Sequence, residues 1–250
     1  MPNIKTVYTY GTGVSISNLS SSLARSYSPA MNGIQEGGAE RKMRVAVLIS
    51  GTGTNLQALI NHTKDPKKAS RAEICLVISN IPDVLGLERA QKAGIPTKVI
   101  CHKGLSRVDF DMKVHAALQA ANIEFICLAG FMRILSGEFV NRWHGRLINI
   151  HPSLLPSFKG MNAHKMVLEA GVRLSGCSVH YVVVRYGFLF LIRGDAGAIL
   201  VQESIPVLPG DTEPTFLQEC RRQQQNTASL LNHLAGQGMA SLGQEKLFGS

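Results

Sequence analysis

The chain has 250 residues, of which 45% are hydrophobic and 17% are charged, which is typical of a globular protein and argues against a disordered or fibrous chain. No apolar run reaches the roughly 18 residues that a membrane-spanning helix needs, so we expect no membrane partner. The formal net charge of +9 favours anionic ligands such as phosphates. Because the sequence has no RGG tract, zinc-finger spacing or long Lys/Arg block, we expect no nucleic-acid partner.

Residues 1–42 differ from the rest of the chain. They are rich in Ser, Gly and Asn, show no periodicity and contain no acidic residue before Glu36. Such a composition predicts a disordered leader or interdomain linker. A transit peptide is an alternative, although Lys5 and Arg25 are the only basic residues before position 41. Residues 43–250 are then predicted to form one domain.

From residue 43 onward, strands and helices are predicted to alternate. Continuous apolar runs indicate buried strands, and helical periodicity indicates the segments between them. The predicted strands are 45–49, 74–78, 97–100, 125–129, 147–150, 178–184 and 199–207. The predicted helices are 55–62, 84–93, 108–121, one ending at 139–143, and 212–234. This spacing predicts an α/β fold with a Rossmann-like, mostly parallel sheet and helices on both faces, which binds ligands beyond the carboxyl ends of its strands.

A glycine-containing loop, Ser50-Gly51-Thr52-Gly53-Thr54-Asn55, follows the first predicted strand. Glycines permit a tight turn, and the free N–H groups at a helix start donate to phosphate. The loop lacks the lysine and spacing of a P-loop, and Leu56 breaks the dinucleotide fingerprint Gly-x-Gly-x-x-Gly. A phosphate-binding loop and a tight strand–helix turn without a ligand both remain open.

A second loop follows the fourth predicted strand. There Gly130 would allow a ligand to approach the backbone. Met132, Ile134 and Leu135 could line a slot for a flat heteroaromatic ring, and Arg133 could meet a carboxylate. Core packing with one exposed arginine is the alternative explanation of this loop.

The segment Asn149-Ile150-His151-Pro152-Ser153-Leu154-Leu155-Pro156 ends the fifth predicted strand. Side chains two residues apart on a strand share a face, so Asn149 and His151 are expected to point into one cleft. An amide donor beside a proton carrier suits acyl-type chemistry, in which a carbonyl oxygen gains charge and a proton moves. A structural histidine is the alternative. Asp195, followed by Ala-Gly, could be no more than a turn residue.

The sequence contains five cysteines, Cys75, Cys101, Cys127, Cys177 and Cys220. Their odd number and the lack of a Cys-x-x-Cys pair predict a reducing compartment, for which we expect the cytoplasm, and no disulfide framework. His164 and His180 lack metal-ligand spacing to a partner, so we predict no metal site.

Together, these segments resemble the glycinamide ribonucleotide formyltransferases, which use 10-formyltetrahydrofolate in purine synthesis. The resemblance rests on residues 44–60, 127–137, 148–160, 178–180 and 195–202. It is particularly similar to the transformylase domain of the animal trifunctional purine enzymes. This implies that residues 1–42 link the domain to upstream purine-synthesis domains.

The resemblance implies that the ligands are glycinamide ribonucleotide and a reduced folate, and it assigns a role to each motif. Gly51, Thr52, Gly53, Thr54 and Asn55 match the loop that holds the ribonucleotide phosphate. Met132, Arg133, Ile134 and Leu135 match part of the folate pocket. Asn149, His151 and Asp195 match the catalytic trio. Asn149 and a cationic His151 would stabilise the oxyanion, while Asp195 would orient His151 and assist proton removal.

Two departures from this family leave alternatives open. The apolar segment 183–193 replaces a short acidic loop and makes that connection about eight residues longer than usual. It could displace Asp195 or block the folate slot, which would leave a catalytically impaired nucleotide-binding variant. In the predicted closing helix, residues 221–226 contain no match for the substrate-binding glutamate of the family.

Methionyl-tRNA formyltransferase is the second enzymatic alternative. That family shares the Asn-x-His-Pro-Ser-like segment and the same chemistry. It lacks the glycine-containing loop after the first strand. Because residues 50–55 supply that loop here, the resemblance favours the ribonucleotide substrate.

Overall fold

The computed structural model describes residues 41–184 and 197–226, with residues 221–226 described by backbone alone. Most of the predicted leader, Asp195 and residues 185–193 of the apolar segment therefore lie outside the described residues. The stretch 227–234 of the predicted closing helix also lies outside them.

Seven strands form one sheet in the described part of the chain. They are β1 (Met43–Ile49), β2 (Ala72–Ser79), β3 (Thr97–Val99), β4 (Phe125–Leu128), β5 (Leu147–His151), β6 (Leu174–Tyr181) and β7 (Ile199–Pro206). Their spatial order is β3-β2-β1-β4-β5-β6-β7. The first five strands pair in parallel, whereas β6 is antiparallel to β5 and β7 is antiparallel to β6. The predicted mostly parallel sheet is confirmed.

Six α-helices lie among the described residues. They are α1 (Thr54–Lys64), α2 (Leu85–Lys92), α3 (Arg107–Ala120), α4 (Gly137–Arg142), α5 (Ala163–Glu169) and α6 (Glu213–Asn226). A short 3-10 turn, Pro66–Lys68, follows α1. No helix in these ranges is long and apolar enough to cross a membrane.

Alternate side chains of β1 belong to two separate buried clusters. Val45, Val47 and Ile49 pack with residues of α1 and α2, whereas Ala46 and Leu48 pack with residues of α3 and α4. Because neighbouring residues of a strand point to opposite faces, these helices cover both faces of the sheet, as predicted. A third, smaller cluster joins α5 and α6 to β7.

Two elements differ from the sequence-based prediction. The strand predicted at 178–184 is β6, which begins at Leu174 and ends at Tyr181. It starts earlier than predicted because residues 174–177 pair with β7. Helix α5 was not predicted. It follows Asn162, a residue type that often caps helices, but here this residue is in the left-handed conformation and its side chain makes no capping hydrogen bond. With only seven residues, the helix is too short to show a clear helical periodicity in the sequence.

The cysteines are all free thiols. Burial raises the pKa of Cys127 to about 12, the pKa of Cys177 to about 11 and the pKa of Cys220 to about 12. Since the thiolate is the reactive form, these three side chains are inert packing residues at neutral pH.

The strand order fixes where the functional loops meet. The chain moves outward from β1 through β2 to β3 and then returns to the other side of β1 with β4. The carboxyl ends of β1 and β4 flank this reversal, where doubly wound sheets leave a ligand crevice. Leu48, Leu128 and Asn149 form one row across β1, β4 and β5. The three loops identified in the sequence therefore leave neighbouring strands at the same edge.

We expect Gly176→Ala to destabilise the sheet. A Cβ at Gly176 would overlap the backbone carbonyl of Glu203 on β7, and backbone cannot move aside as a flexible side chain can. Overpacking of this kind lowers the free energy of unfolding by about 1–3 kcal/mol, which urea denaturation measures. Gly51→Ala is the control, because its Cβ would have no neighbour within 4 Å. Equal stability of the two variants would contradict this view of β6–β7 packing.

Candidate active site

The loop after β1 presents the bare amino terminus of α1. Gly53 is the N-cap residue, with φ 69° and ψ 32°, and no side chain caps the helix. The first turn of α1 contains no acidic residue. The first N–H groups of a helix have no intrahelical acceptor, and the helix dipole makes that end positive. The loop can therefore donate backbone N–H groups to an anion.

Two glycines allow α2 to lie directly against this loop. The N–H of Gly86 donates to the carbonyl of Gly51 at 3.1 Å, and a Cβ at Gly53 would lie 2.5 Å from the Cα of Gly86. Arg89 Nε donates to the carbonyl of Thr52 at 2.8 Å. Sequence reasoning missed Gly86 and Arg89. A glycine inside a predicted helix was the available signal, since such a glycine usually has a packing reason.

Asn55 carries an unsatisfied polar atom in the first turn of α1. The residue is 9% exposed, and its Oδ1 has no hydrogen-bond partner among the described residues. Burying such an acceptor unpaired is costly. A ligand N–H or O–H placed at the start of α1 would satisfy it.

Ser50 connects the loop after β1 to the loop after β4. Its N–H donates to the carbonyl of Gly130 at 3.0 Å, and its Oγ accepts from the N–H of Met132 at 2.8 Å. The same Oγ donates to Asn80 Oδ1 at 2.6 Å. Two predicted site loops are thus hydrogen-bonded to each other through one buried residue. Asn80 was not identified from the sequence.

The loop after β4 divides its side chains between solvent and core. Met132 is 69% exposed and Ile134 is 39% exposed, whereas Leu135 is only 4% exposed and packs with the α3–α4 cluster. The guanidinium of Arg133 lies over the ring of Phe110, 4.5 Å from its centroid. Arg133 Nε is buried and has no hydrogen-bond partner among the described residues. The arginine is therefore held by stacking on α3.

Asp111, the next residue of α3, anchors the far end of the same loop. The carboxylate is fully buried and accepts from the N–H of Ser136 at 2.5 Å. Burial raises the pKa of this carboxyl, while the hydrogen bonds from Ser136 and the charge of Arg133 oppose that rise. Two neighbouring residues of α3 thus hold the loop after β4, Phe110 through Arg133 and Asp111 through Ser136.

Asn149 and His151 lie two residues apart on β5, as predicted, and pair in register with His180 and Ser178 of β6. Asn149 Nδ2 lies 3.2 Å from His180 Nε2, and His180 Nδ1 lies 2.9 Å from the carbonyl of Tyr181. Because a carbonyl only accepts, Nδ1 bears the proton and Nε2 accepts from Asn149. His180 thereby fixes the orientation of the Asn149 amide.

His151 is 4% exposed, and its Nε2 lies 3.1 Å from the carbonyl of Phe158. The hydroxyl of Ser153 donates to the carbonyl of Ser157 at 2.7 Å. The loop after β5 therefore folds back over its own histidine. Asp195, the predicted partner of His151, lies outside the described residues.

The buried hydroxyl of Ser178 and the amide of the exposed residue Gln202 tie this loop to β6 and β7. The N–H of Leu155 donates to Ser178 Oγ at 2.9 Å, and that hydroxyl donates to the carbonyl of Ser153 at 2.8 Å. Gln202 Nε2 donates both to the carbonyl of Leu155 and to Ser178 Oγ, at 2.9 Å each. Ser178 and Gln202 lie in segments that carry the family resemblance, which assigned them no role, and their hydrogen bonds hold the loop after β5 in place.

No group of three or more His, Cys, Asp and Glu side chains in residues 41–184 and 197–220 is placed to hold a metal ion. The donors of this cleft are instead amide, hydroxyl, imidazole and backbone N–H groups. Such donors suit stabilisation of an anion and of a carbonyl oxygen that gains charge.

Comparison with known proteins agrees with this arrangement. The formyl transferase family model matches residues 43–231. The chain is 53% identical over 204 residues to the trifunctional purine biosynthetic protein adenosine-3 of Gallus gallus, with 81% of this chain and 19% of that protein covered. It is 39% identical over 183 residues to phosphoribosylglycinamide formyltransferase of Escherichia coli, with 73% of this chain and 82% of that protein covered.

A solved structure of phosphoribosylglycinamide formyltransferase from Anaplasma phagocytophilum superposes with a TM-score of 0.70 at 38% identity, covering 79% of this chain and 88% of that one. The chain spans only 19% of the length of the trifunctional protein of Gallus gallus, but most of the length of the single-domain proteins of Escherichia coli and Anaplasma phagocytophilum. The family match includes all three loops that meet at the carboxyl edge of the sheet. The chain therefore belongs to the formyl transferase family.

Proposed function

We propose that the chain transfers the formyl group of 10-formyltetrahydrofolate to the amine of glycinamide ribonucleotide in purine (IMP) biosynthesis. One observation carries the proposal. The loops after β1, β4 and β5 leave adjacent strands from the row Leu48, Leu128 and Asn149, so an anion-binding helix start, a half-apolar loop and an amide–imidazole pair share one edge. The names of the relatives support the same substrates and do not favour the methionyl-tRNA formyltransferase alternative.

The loop after β1 is the proposed ribonucleotide side. Backbone N–H groups of residues 51–55 would donate to the phosphate, which the uncapped end of α1 attracts. Asn55 would donate through its amide and accept a ligand hydrogen on its unsatisfied oxygen. The net charge of +9 adds a favourable long-range field for this ligand.

The loop after β4 is the proposed folate side. Met132 and Ile134 expose apolar surface that a pterin ring would cover. Arg133, fixed on Phe110, would meet a carboxylate of the folate tail. Leu135 would support this surface from the core instead of touching the ligand.

The loop after β5 is the proposed catalytic side. The ribonucleotide amine forms a bond to the formyl carbon, and the carbonyl oxygen becomes an oxyanion that accepts from Asn149 and from His151. The nitrogen loses a proton, with Asp195 proposed to orient His151 and assist that loss. Cleavage of the bond between the formyl carbon and N10 of the folate, with protonation of N10, then releases tetrahydrofolate. Near-complete burial of His151 strengthens its electrostatic contribution.

We also propose a place for this domain within a longer architecture. The family match begins at residue 43, which supports a formyltransferase domain of residues 43–250 preceded by a linker of residues 1–42. The trifunctional relatives support fusion to other purine-synthesis domains. The free thiols support the cytoplasm as the compartment.

The apolar segment 183–193 is the reason to consider an impaired variant. Its first residues pack against the core, since Val183 and Val184 contact the two main clusters. On either side of the connection, the N–H of Tyr181 donates to the carbonyl of Ala198 at 3.0 Å. The β6–β7 pairing is therefore intact at the base of the connection, which favours an insertion that the sheet tolerates.

Formyl transfer by the full chain tests the proposed function directly. We expect turnover of glycinamide ribonucleotide with 10-formyltetrahydrofolate, followed by release of tetrahydrofolate. A variant that lacks residues 184–193 should also turn over if the insertion is tolerated. Turnover by the deletion variant alone would support the impaired-variant alternative. Turnover by neither would reject the proposed function.

Asn149→Ala should lower kcat about 10²–10³-fold, because it removes one donor to the oxyanion. Ribonucleotide binding should change little, since the phosphate is held by another loop. Steady-state kinetics and calorimetric titration separate the two effects. Asn141→Ala, on the exposed surface of α4, is the matched control. Full activity of Asn149→Ala would reject the proposed mechanism.

Asn55→Ala should weaken ribonucleotide binding without destabilising the fold. Loss of a hydrogen bond to a charged ligand costs about 1.5–3 kcal/mol, which raises Kd about 10–150-fold. Stability should be kept, because the Asn55 oxygen has no partner among the described residues. Calorimetry and thermal unfolding provide the two measurements. The control is Asn61→Ala, which removes only an exposed contact with Gln57. An unchanged Kd in Asn55→Ala would reject the phosphate-loop assignment.

A further inference from the structure

We infer that Ser50 and Asn80 are positioning residues that couple the two ligand sites, so that the ribonucleotide and the folate each bind more tightly when the other is present. The inference rests on the proposed function for the identity of the two ligands. Its structural basis is a closed circuit of contacts beneath both loops.

The Ser50 hydroxyl is the point where the two loops meet. It has one hydrogen, which it donates to Asn80 Oδ1 at 2.6 Å, so its lone pairs are directed to the N–H of Met132 at 2.8 Å. Ser50 precedes Gly51 of the proposed phosphate loop, and Met132 precedes Arg133 of the proposed folate loop. A change of backbone position in either loop therefore changes a bond to the same hydroxyl.

The pair is shielded from water. Ser50 is 7% exposed and Asn80 is 3% exposed. Water cannot easily replace a hydrogen bond at such positions, and a broken bond leaves an unsatisfied buried group. We therefore expect the hydrogen bonds of Ser50 to Asn80 and to Met132 to stay intact, so that these residues move together if the loops move.

A second set of contacts returns from Asn80 to the folate loop. His102 Nδ1 lies 3.3 Å from Asn80 Nδ2, and the ring of His102 meets Phe110 edge-on at 6.4 Å between centroids. The guanidinium of Arg133 also lies over the ring of Phe110, 4.5 Å from its centroid. Asn80 thus reaches Met132 through Ser50 and reaches Arg133 through His102 and Phe110.

This circuit gives a physical route for coupling. Phosphate bound at residues 51–55 would restrict the backbone next to Ser50, and the fixed hydroxyl would then hold Met132 in its bonded position. The folate would meet a loop that is already ordered, so less conformational entropy is lost when it binds. Coupling of binding sites is reciprocal, and factors of about 5–150 are typical. We expect the lower part of that range, about 5–20-fold, because one hydroxyl carries the direct link.

Calorimetric titration of the full chain tests the coupling. Glycinamide ribonucleotide is titrated with and without saturating tetrahydrofolate, which has no formyl group to transfer, and the ratio of the two Kd values is the coupling factor. The reverse titration must give the same factor in the wild-type chain. We expect about 5–20 for the wild type and a factor near 1 for Ser50→Ala.

Ser79→Ala is the matched control. Its hydroxyl is fully buried and neighbours Asn80, but it donates to the carbonyl of Ile81 at 2.6 Å and accepts from the N–H of Ile81 at 3.1 Å within one turn. We expect it to keep the wild-type coupling factor. If Ser50 had only a structural role, Ser50→Ala would behave like Ser79→Ala. Both substitutions would then lower the thermal stability, and neither would change the coupling factor.

Ser50→Cys provides a second variant if Ser50→Ala folds poorly, because it keeps most of the volume and replaces the hydroxyl by a weak donor and acceptor. It should also lower the coupling factor. A wild-type factor of 1 with both ligands bound, or an unchanged factor in the folded Ser50 variant, would overturn the inference while leaving the proposed function intact. Failure of the wild type to bind either ligand would overturn the proposed function and this inference with it.

Discussion

The arrangement of the site depends on the adjacency of three parallel strands. Neighbouring strands lie about 4.8 Å apart, and hydrogen bonds hold Leu48, Leu128 and Asn149 in one row. Loops that leave this row in the same direction must share one edge of the sheet. None of them needs to be long, because the sheet itself brings their first residues together. The two clusters on the faces of β1 then fix the sheet between its helices.

Buried polar contacts determine the shape of the loops above that row. Ser50 joins the first two loops, Asp111 holds the second at Ser136, and Ser178 holds the third at Leu155. Each contact matches a side chain to a backbone group in a loop. Backbone groups of loops lack the regular partners of helices and strands, so side chains must satisfy them where water is excluded. These side chains consequently determine the conformation of each loop.

Much of the fold follows from local signals. Apolar runs identified the strands, and the glycine-containing loop and the Asn149–His151 spacing located two parts of the site. Asn80 carried no comparable signal, because it acts on Ser50, a residue distant in sequence. Gly86 gave only the weak signal of a glycine inside a predicted helix, and Gln202 lay in a segment of the family resemblance without an assigned role. Glycine is disfavoured inside strands, yet β6 continues through Gly176. A glycine is needed at this position, because the carbonyl of Glu203 leaves no room for a larger residue. Helix α5 lacks a cap and is short, so tertiary packing of Val167 decides its conformation.

The antiparallel pairing of β6 and β7 has a consequence for how such a domain can diversify. Backbone pairing holds the two strands together from Leu174–Pro206 to His180–Ile199. The length of the segment that connects them can therefore change without loss of this pairing. Closing a flexible loop costs only about 0.6 kcal/mol more for each doubling of its length. Additions between these strands can therefore arise by small genetic changes without unravelling the sheet. New sequence can therefore be tried between these two strands while the sheet that carries the site stays the same.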